Sequence, residues 1–520
     1  MNRPLIRNIL GKILILVAIL MVLPLIVAII YYKEDGGSFK YIISFVIPIV
    51  LQILIGILFT YKKASDNAVS AKEGFIIVAA SWIIMSITGA LPLIISGDFV
   101  YKTGDTATFL DYVNAFFDSF FEISSGFTTT GASVCRDVEA LSHSIQFWRS
   151  FSHWIGGMGI LVFILAIIPE SKEGSAVHIL RAESPGPTVN KLTSRTRVTT
   201  RILYIIYVVL SISMVLFLWL GKDDKMTLFN SFIYMFGCAG TGGFGIDNPV
   251  LTESGELIVG LSLYTKYSQY VISIYMTLFS LNFTIFYLLI IGKIKDVFAN
   301  EEIKWFFGIY FVSIGLLMLS LIKVYTNIEE LFRYSLFTTA TIMSTTGYGN
   351  VDFTSWPLIS RCIIVILTII GGCAGSTAGG IKVSRLIILV KSLINKIRQL
   401  INPRKVKAIN VDGKPVNDEV VSSVYSYMIF HILIVVICGV LVSIDWFYNH
   451  DLTLADCFSA SLTCISNVGP GVTKLIGPAG GFSSFSNLSK FILSLEMIAG
   501  RLEIFPLIIL LNPKVWKSRF

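Results

Sequence analysis

Four short runs of small and polar residues recur along the chain, and their residue types point to cation binding. The runs are Thr129-Thr130-Gly131, Thr241-Gly242-Gly243, Thr345-Thr346-Gly347 and Asn467-Val468-Gly469. Backbone carbonyl oxygens and threonine hydroxyls can together replace the hydration shell of a cation. The last glycines of the four runs lie 112, 104 and 122 residues apart. The near-equal spacing indicates a fourfold internal repeat.

The stretch before each run has the same length and a similar start. The residues Asp118, Asn230, Tyr334 and Asp456 each lie 13 residues before the last glycine of their run. The stretch between is shorter than the about 20 apolar residues that a membrane-spanning helix needs. Because Asp and Asn are favoured helix N-caps, we predict short helices that begin here and enter only the outer half of a membrane.

The runs themselves predict an ion filter. Non-helical backbone inside a membrane is stable only where it lines a watery cavity or is buried in protein. Four runs around one axis would present carbonyls to a passing ion, and the segment 345–349 differs from the TVGYG filter of potassium channels at one position. Glycine suits a strained backbone that visits φ > 0. The alternative, four ordinary turns, does not explain why the 13-residue spacing occurs four times.

Composition places these runs in a membrane protein. The chain has 520 residues, of which 54% are hydrophobic and 14% charged, whereas soluble chains carry about 25% charged residues. A soluble or disordered protein is therefore excluded. Ten stretches could span a bilayer, and we expect the eighth to be broken: 13–32, 41–61, 74–96, 147–168, 202–220, 268–291, 305–322, 357–390, 421–444 and 488–511.

The distribution of basic residues predicts the topology. With the N-terminus in the cytoplasm, the cytoplasmic segments carry 25 Lys and Arg residues and the external segments carry 10. The positive-inside rule therefore places both termini in the cytoplasm. The basic stretches 172–201 and 391–414 are then cytoplasmic loops, so we expect membrane lipid as a partner and no nucleic acid.

Together, the spans and the repeat predict the fold class. We expect an all-α polytopic membrane protein with four helix–pore-loop–helix repeats around one pore and two extra N-terminal helices. The predicted units are a two-helix unit over 1–66 and pore repeats over 67–190, 191–300, 301–400 and 401–520, the third with a broken inner helix.

Seven motifs together carry a family resemblance. They are SGFTTTGAS (125–133), HWIGGMGI (153–160), TGGFG (241–245), STTGYGN (344–350), GGCAGSTAGGIK (371–382), SNVGPG (466–471) and AGRLE (499–503). On these motifs the chain resembles the Trk/Ktr/HKT family of cation-uptake proteins over nearly its whole length. Two helices precede the first repeat, as in the TrkH branch of that family.

The resemblance implies more than the fold. It implies potassium as the transported ion, bound at the twelve residues of the four runs, with no bound cofactor. It also implies a homodimer in a bacterial inner membrane, regulated by a cytoplasmic TrkA-like subunit that binds NAD and ATP or ADP. Gly131 favours potassium, because serine at this place resembles a sodium-permissive filter.

The eighth span contains ten consecutive small residues, 371–380, here named the small-residue loop. At about 1 kcal/mol per glycine, such a stretch would destabilise a helix by several kcal/mol. The resemblance implies that this loop gates the pore, and the alternative is close helix packing through small residues. The predicted gate residues are Gly371, Gly372, Gly375, Gly379, Gly380, Lys382 and Arg501.

Arg501 lies in the last predicted span, near Glu496 and Glu503. A charge inside a membrane is costly and indicates a function. The resemblance implies that Arg501 lies below the filter, near the gating loop. The alternative is a buried ion pair that holds helices together.

Acidic residues follow three of the four runs. They are Asp137, Asp247 and Asp352. A ring of carboxylates there would raise the local concentration of cations. Solvated loop charges are the alternative.

The sequence predicts potassium uptake and no enzymatic activity. It contains no Walker P-loop, dinucleotide fingerprint or zinc spacing. A membrane enzyme would show His or carboxylate clusters at a membrane face. A secondary transporter would typically show inverted repeats with carboxylates near the midplane. A symporter that couples potassium to sodium or protons remains the alternative function.

Overall fold

The computed structural model describes residues 2–61, 69–102, 107–159, 196–251, 257–402, 408–447 and 449–513. Almost all of its regular structure is helical. The strands in these ranges form two antiparallel hairpins of two residues a side, Val250–Leu251 with Leu257–Ile258 and Asn410–Val411 with Lys414–Pro415. The predicted all-α fold class is therefore confirmed.

The N-terminal unit consists of α1 (Arg3–Leu20), α2 (Val22–Ile30) and α3 (Lys40–Thr60). Helices α1 and α3 cross at two glycines. A Cβ on Gly11 would lie 2.8 Å from the carbonyl oxygen of Gly56, and a Cβ on Gly56 would lie 2.9 Å from that of Gly11. Small residues let membrane helices approach this closely.

Each repeat has a first helix, a middle helix, a Gly run and a last helix. In the first repeat these helices are α4 (Ala71–Ser96), α5 (Phe109–Phe127) and α6 (His143–Gly157). In the second they are α7 (Thr196–Trp219), α8 (Leu228–Gly240) and α9 (Lys266–Phe279), followed by α10 (Phe283–Ile290) and α11 (Ile294–Ala299).

The other two repeats follow the same order. The third contains α12 (Glu301–Leu321), α13 (Ile328–Met343), α14 (Leu358–Ile370) and α15 (Val383–Ile401). The fourth contains α16 (Asp418–Val442), α17 (Leu454–Ser466), α18 (Asn487–Arg501) and α19 (Phe505–Leu511). Single 3₁₀ turns lie at Gly260–Leu263, Phe353–Ser355 and Ser443–Phe447.

The first helix of each repeat is long and apolar enough to cross a membrane. Within the described ranges, six helices are long and apolar enough to cross a membrane, and two of them belong to the N-terminal unit: Arg3–Ile30, Lys40–Thr60, Lys72–Ser96, Thr200–Trp219, Glu301–Leu321 and Asp418–Phe447. The remaining four are α4, α7, α12 and α16. The predicted span 147–168 is helical to Gly157, and residues 160–195 lie outside the described ranges.

Three of the last helices are broken, whereas we predicted one. The predicted spans 268–291 and 488–511 each contain a break that we did not predict from the sequence. Between α9 and α10 the chain bends by 93°, because Ser280 O accepts a hydrogen bond from Cys373 N at 3.0 Å and Phe283 N donates one to Gly375 O at 3.1 Å. The small-residue loop thus forms hydrogen bonds with backbone groups that would be paired within the helix if the helix were continuous. The third break separates α18 from α19.

The middle helices begin earlier than predicted. Their N-caps are Thr108, Thr227, Asn327 and Thr453. Two of these threonines form capping boxes with a carboxylate three residues later, so Asp456 is the third helical residue and not the cap. Asp118 lies in the middle of α5, where its carboxylate accepts a hydrogen bond of 2.5 Å from Lys490 Nζ.

Candidate functional site

The four Gly runs form a closed ring. A Cβ built on Gly131 would lie 1.8 Å from the carbonyl oxygen of Gly242, and one on Gly243 would lie 2.0 Å from that of Thr346. The ring continues in the same sense, since a Cβ on Gly347 would lie 2.1 Å from Val468 O and one on Gly469 would lie 2.6 Å from Thr130 O. Each glycine therefore lies against the carbonyl that precedes the glycine of the next run, and no side chain larger than hydrogen fits there.

The backbone repeats the same two unusual conformations in each run. The last glycines have φ between 69° and 98°: Gly131, Gly243, Gly347 and Gly469. The first residues also have positive φ, of 53° to 59°: Thr129, Thr241, Thr345 and Asn467. Positive φ is rare for β-branched residues and stores strain of about 1–3 kcal/mol each. Strain repeated at equivalent positions indicates that the backbone geometry of the ring is functionally required.

A cavity of about 360 Å³ opens on one side of the ring, here named the vestibule, and all four last glycines line it. Among the described residues that line it, Asp247 is the one carboxylate. Asp352 instead accepts hydrogen bonds from Thr354 N and Oγ1. Asp137 accepts one of 2.7 Å from Asn248 Nδ2, which holds the pKa of that carboxyl below its usual range. The three acids therefore do not form a ring.

The runs are numbered 1 to 4 in chain order, and polar side chains hold the segments that follow runs 1 and 2. The carboxylate of Glu122 accepts hydrogen bonds from Ser133 Oγ and Val134 N, both at 2.9 Å, directly after run 1. After run 2, Asp247 Oδ2 accepts hydrogen bonds of 2.8 Å from the hydroxyls of Tyr234 and Tyr264. Each segment is thus fixed by a carboxylate.

The segments after runs 3 and 4 are held without a carboxylate. After run 3, Asn350 Nδ2 donates to Gln269 Oε1 at 3.1 Å, and Arg333 Nη1 donates to the same oxygen at 2.7 Å. After run 4, Thr463 Oγ1 donates to Pro470 O at 3.1 Å. The ring is fourfold in its backbone, but its supports differ from repeat to repeat.

The small-residue loop lies at the opposite end of the ring from the vestibule, and it is hydrogen-bonded to two runs and to the residue before a third. Its Gly379 N donates to Thr345 Oγ1 at 2.8 Å, and its Thr377 O accepts from Thr241 Oγ1 at 2.9 Å. Gly380 N donates to Ser466 O, next to run 4, at 2.9 Å. The loop is in turn anchored by Glu302, whose Oε1 accepts from Ala374 N at 2.7 Å.

Arg501 connects this loop to the first repeat. Its Nη1 donates to Thr377 O at 2.7 Å, and its Nη2 donates to Gly156 O and Gly157 O at 2.6 Å each. These carbonyls belong to the loop and to the end of α6. The predicted proximity of Arg501 to the small-residue loop is thus seen in the structure.

The carboxylates near Arg501 have other partners. Glu503 forms ion pairs with Arg385 and, at 3.3 Å, with Lys382 Nζ. Lys382 follows the loop by two residues, has a positive φ of 76°, and its half-buried side chain is paired with Glu503. Glu496 Oε1 accepts a hydrogen bond of 2.5 Å from Ser461 Oγ.

Comparison with known proteins agrees with this architecture. The family model of TrkH, described as a cation transport protein, matches residues 42–518. The chain belongs to the TrkH family.

Two curated relatives and one solved structure illustrate the similarity. The Trk system potassium uptake protein TrkH of Vibrio parahaemolyticus is 30% identical over 520 residues, which cover 98% of this chain and 99% of that protein. The Trk system potassium uptake protein TrkG of Escherichia coli is 31% identical over 505 residues, 96% of each chain. The crystal structure of the potassium transporter TrkH from Vibrio parahaemolyticus matches with a TM-score of 0.82 at 28% identity, over 99% of this chain and 100% of that chain.

Sequence reasoning missed several residues of this TrkH-family site. Glu122, Arg149 and Glu302 are charged residues in or beside apolar stretches, and this signal could have identified them. Thr377 carries no such signal, because it acts through its backbone carbonyl.

Thr129 Oγ1 and Asn467 Oδ1 are buried in the ring and have no hydrogen-bond partner among the described residues.

Proposed function

We propose that the chain takes up potassium ions through the ring of four Gly runs, which acts as its selectivity filter. The observation that carries the proposal is the closed ring itself, in which four glycine–carbonyl contacts join the four runs in order. The named relatives are potassium uptake proteins. The proposed ion-binding residues are the twelve residues of the four runs.

Backbone carbonyls suit potassium for a physical reason. A ring of carbonyl oxygens can replace the hydration shell of the ion without adding a formal negative charge that would hold it too tightly. Asp247, the one carboxylate among the described residues of the vestibule, would attract cations to the entrance, where Arg136 and Arg149 also lie. The chain transports its cation, so no catalytic residue and no resident cofactor are part of this proposal.

We propose that the small-residue loop, with Lys382 and Arg501, is the gate. Its hydrogen bonds to runs 2 and 3 and to the end of α17 support this role, because a loop in that position obstructs the axis below the filter. Arg501 adds a positive charge at the same place. Opening requires that these contacts break together.

The setting of the protein is also a proposal. The excess of Lys and Arg in alternate segments supports a topology with both termini in the cytoplasm, and we propose a bacterial inner membrane as the location. The names of the relatives refer to a Trk system, which supports association with a further Trk component. We propose that this component is a TrkA-like regulatory subunit that binds NAD and ATP or ADP. We propose a homodimer with one pore in each protomer, and the unit boundaries 1–66, 67–190, 191–300, 301–400 and 401–520.

Rubidium uptake tests the proposal. The purified full chain is reconstituted into liposomes loaded with potassium, and entry of radioactive rubidium is followed with and without external potassium or sodium. We expect uptake that potassium inhibits and sodium does not. Uptake that requires an imposed sodium or proton gradient would favour the symporter instead. Absence of uptake in correctly folded protein, with and without the regulatory subunit, would refute the proposal.

A further inference from the structure

A buried ion pair lies directly behind the Gly runs. Glu122 of α5 and Arg149 of α6 have side chains that are 0% and 1% exposed. Glu122 Oε1 accepts hydrogen bonds from Arg149 Nε at 2.8 Å and from Nη2 at 2.5 Å. Because desolvation offsets most of the attraction, a buried pair is weak evidence of a role in stability. Its position suggests another role.

One side of the pair holds the segment after run 1. Both carboxylate oxygens of Glu122 are used there, since Oε1 accepts from Ser133 Oγ and Oε2 accepts from Val134 N, each at 2.9 Å. Arg149 Nη2 also donates to Ser133 Oγ at 3.3 Å. Ser133 and Val134 follow Gly131 by two and three residues. The segment is therefore fixed immediately beside the ring.

The other side of the pair holds run 2. The guanidinium of Arg149 stacks on the ring of Phe244, 4.5 Å from its centroid. Phe244 directly follows Gly243 and is 1% exposed. Runs 1 and 2 touch at Gly131 and Gly242. A single ion pair thus supports two neighbouring runs at the place where they meet.

We propose that Glu122 and Arg149 are positioning residues that determine ion specificity. They fix the distance between runs 1 and 2 and act on the ion through Ser133, Val134 and Phe244, and Arg149 also lines the vestibule. The inference rests on the proposed function as a potassium pathway. A ring that can contract binds the smaller sodium ion better, so loosening this support reduces the preference for potassium.

The same helix offers a matched control. Asp118 lies one turn before Glu122 on α5 and forms a buried ion pair of 2.5 Å with Lys490 of α18, with both side chains 6% exposed. This pair joins two helices, whereas the pair of Glu122 contacts the segment after a Gly run. Glu122→Gln and Asp118→Asn therefore break equivalent pairs and differ in what the carboxylate supports.

The experiment measures the preference for potassium in the full chain. Purified protein is heated at increasing potassium or sodium concentrations, because an ion that binds the native state raises the melting temperature. For each ion, the concentration that gives half of the maximal rise in melting temperature is determined, and the ratio of the sodium value to the potassium value gives the preference. Rubidium uptake with sodium as competitor gives a second value. Glu122→Gln and Arg149→Lys are expected to lower the preference at least tenfold, which equals about 1.4 kcal/mol. Asp118→Asn is expected to lower the melting temperature and retain the preference.

A milder variant keeps the inference testable if the charge variants do not fold. Ser133→Ala removes one hydrogen bond to Glu122 and leaves the ion pair intact, so a smaller loss in the same direction is expected. Unchanged preference in this variant, or an equal loss in Asp118→Asn, would overturn the inference. If the wild-type chain neither responds to potassium nor takes up rubidium, the proposed function fails instead.

Discussion

The guanidinium of Arg501 is hydrogen-bonded to the carbonyl oxygen of Thr377, with Nη1 and O 2.7 Å apart. The same carbonyl accepts a hydrogen bond from Thr241 Oγ1 in run 2. Arg501 also binds the carbonyls at the end of α6. One side chain therefore connects the first repeat, the small-residue loop and a Gly run, and displacement of the loop requires that this connection break.

Arg501→Ala is expected to increase rubidium uptake and to leave the preference for potassium over sodium unchanged. At about 6 Å and an effective dielectric constant of 20, the positive charge repels a passing ion by roughly 2.8 kcal/mol before screening. Removal of half of that barrier would raise uptake about tenfold. Arg501→Lys keeps the positive charge but cannot form all the hydrogen bonds that the guanidinium makes to the loop and to α6. Comparison of the two variants therefore separates the effect of the charge on the ion from the effect of these hydrogen bonds on the loop. A lower melting temperature of Arg501→Ala without faster uptake would contradict a role in the pore.

Thr345→Val is expected to weaken the closed arrangement of the loop. The substitution conserves shape and removes the acceptor for Gly379 N, and an unsatisfied buried N–H costs about 1–3 kcal/mol. The substitution leaves the backbone carbonyl of Thr345 in the ring, so we expect more rubidium uptake without the regulatory subunit and a smaller response to it. Thr339→Val is the control, because Thr339 Oγ1 on α13 is buried and has no partner among the described residues. Equal uptake by the two variants would contradict the prediction.

Gly131→Ala is expected to abolish potassium-dependent stabilisation and uptake. The new Cβ would lie 1.8 Å from Gly242 O, at φ of 80°, so the ring cannot close. Gly308→Ala is the control, since a Cβ there meets nothing within 4 Å. In a helix this control should be more stable by about 0.5–1 kcal/mol. Thermal unfolding of both variants with and without potassium provides the measurement, and normal stabilisation of Gly131→Ala would exclude the ring as the ion site.

Asp247→Asn is expected to raise the concentration of potassium needed for half-maximal uptake. Loss of one charge at about 4 Å from an entering ion costs about 1 kcal/mol in water, which is about fivefold. The effect should disappear at high ionic strength, because salt screens the charge. Asp352→Asn changes a carboxylate that does not line the vestibule, so it should leave uptake unaffected at both ionic strengths. A salt-independent effect would indicate loss of the hydrogen bonds from Tyr234 and Tyr264 instead.

Much of the architecture was predictable because it is periodic. The 13-residue spacing identified all four runs. The positive φ of the last glycines was predictable as well, because glycine adopts this conformation without a steric penalty. The N-caps could also have been predicted, since Thr108 and Thr453 each precede an Asp by three residues.

The remaining features depend on contacts between distant residues. No Gly or Pro lies at the break after Ser280, so the local sequence does not predict it. The break arises from hydrogen bonds to a loop about 90 residues later. Positive φ at Thr129, Thr241 and Thr345 contradicts the local preference of threonine. The pair Glu122–Arg149 joins two helices, and its partners can be assigned only when the helices are packed.

The unlike supports of the four runs have a consequence for how such a pore can change. A pore built from four identical chains would repeat any substitution four times, and every quarter would change at once. Here the supports are unlike and lie in one chain: a carboxylate–guanidinium pair serves runs 1 and 2, two tyrosines hold the carboxylate after run 2, and a glutamine and a threonine serve runs 3 and 4. The third or fourth quarter can therefore diverge after duplication while the others keep their geometry, so ion preference can be adjusted in small steps.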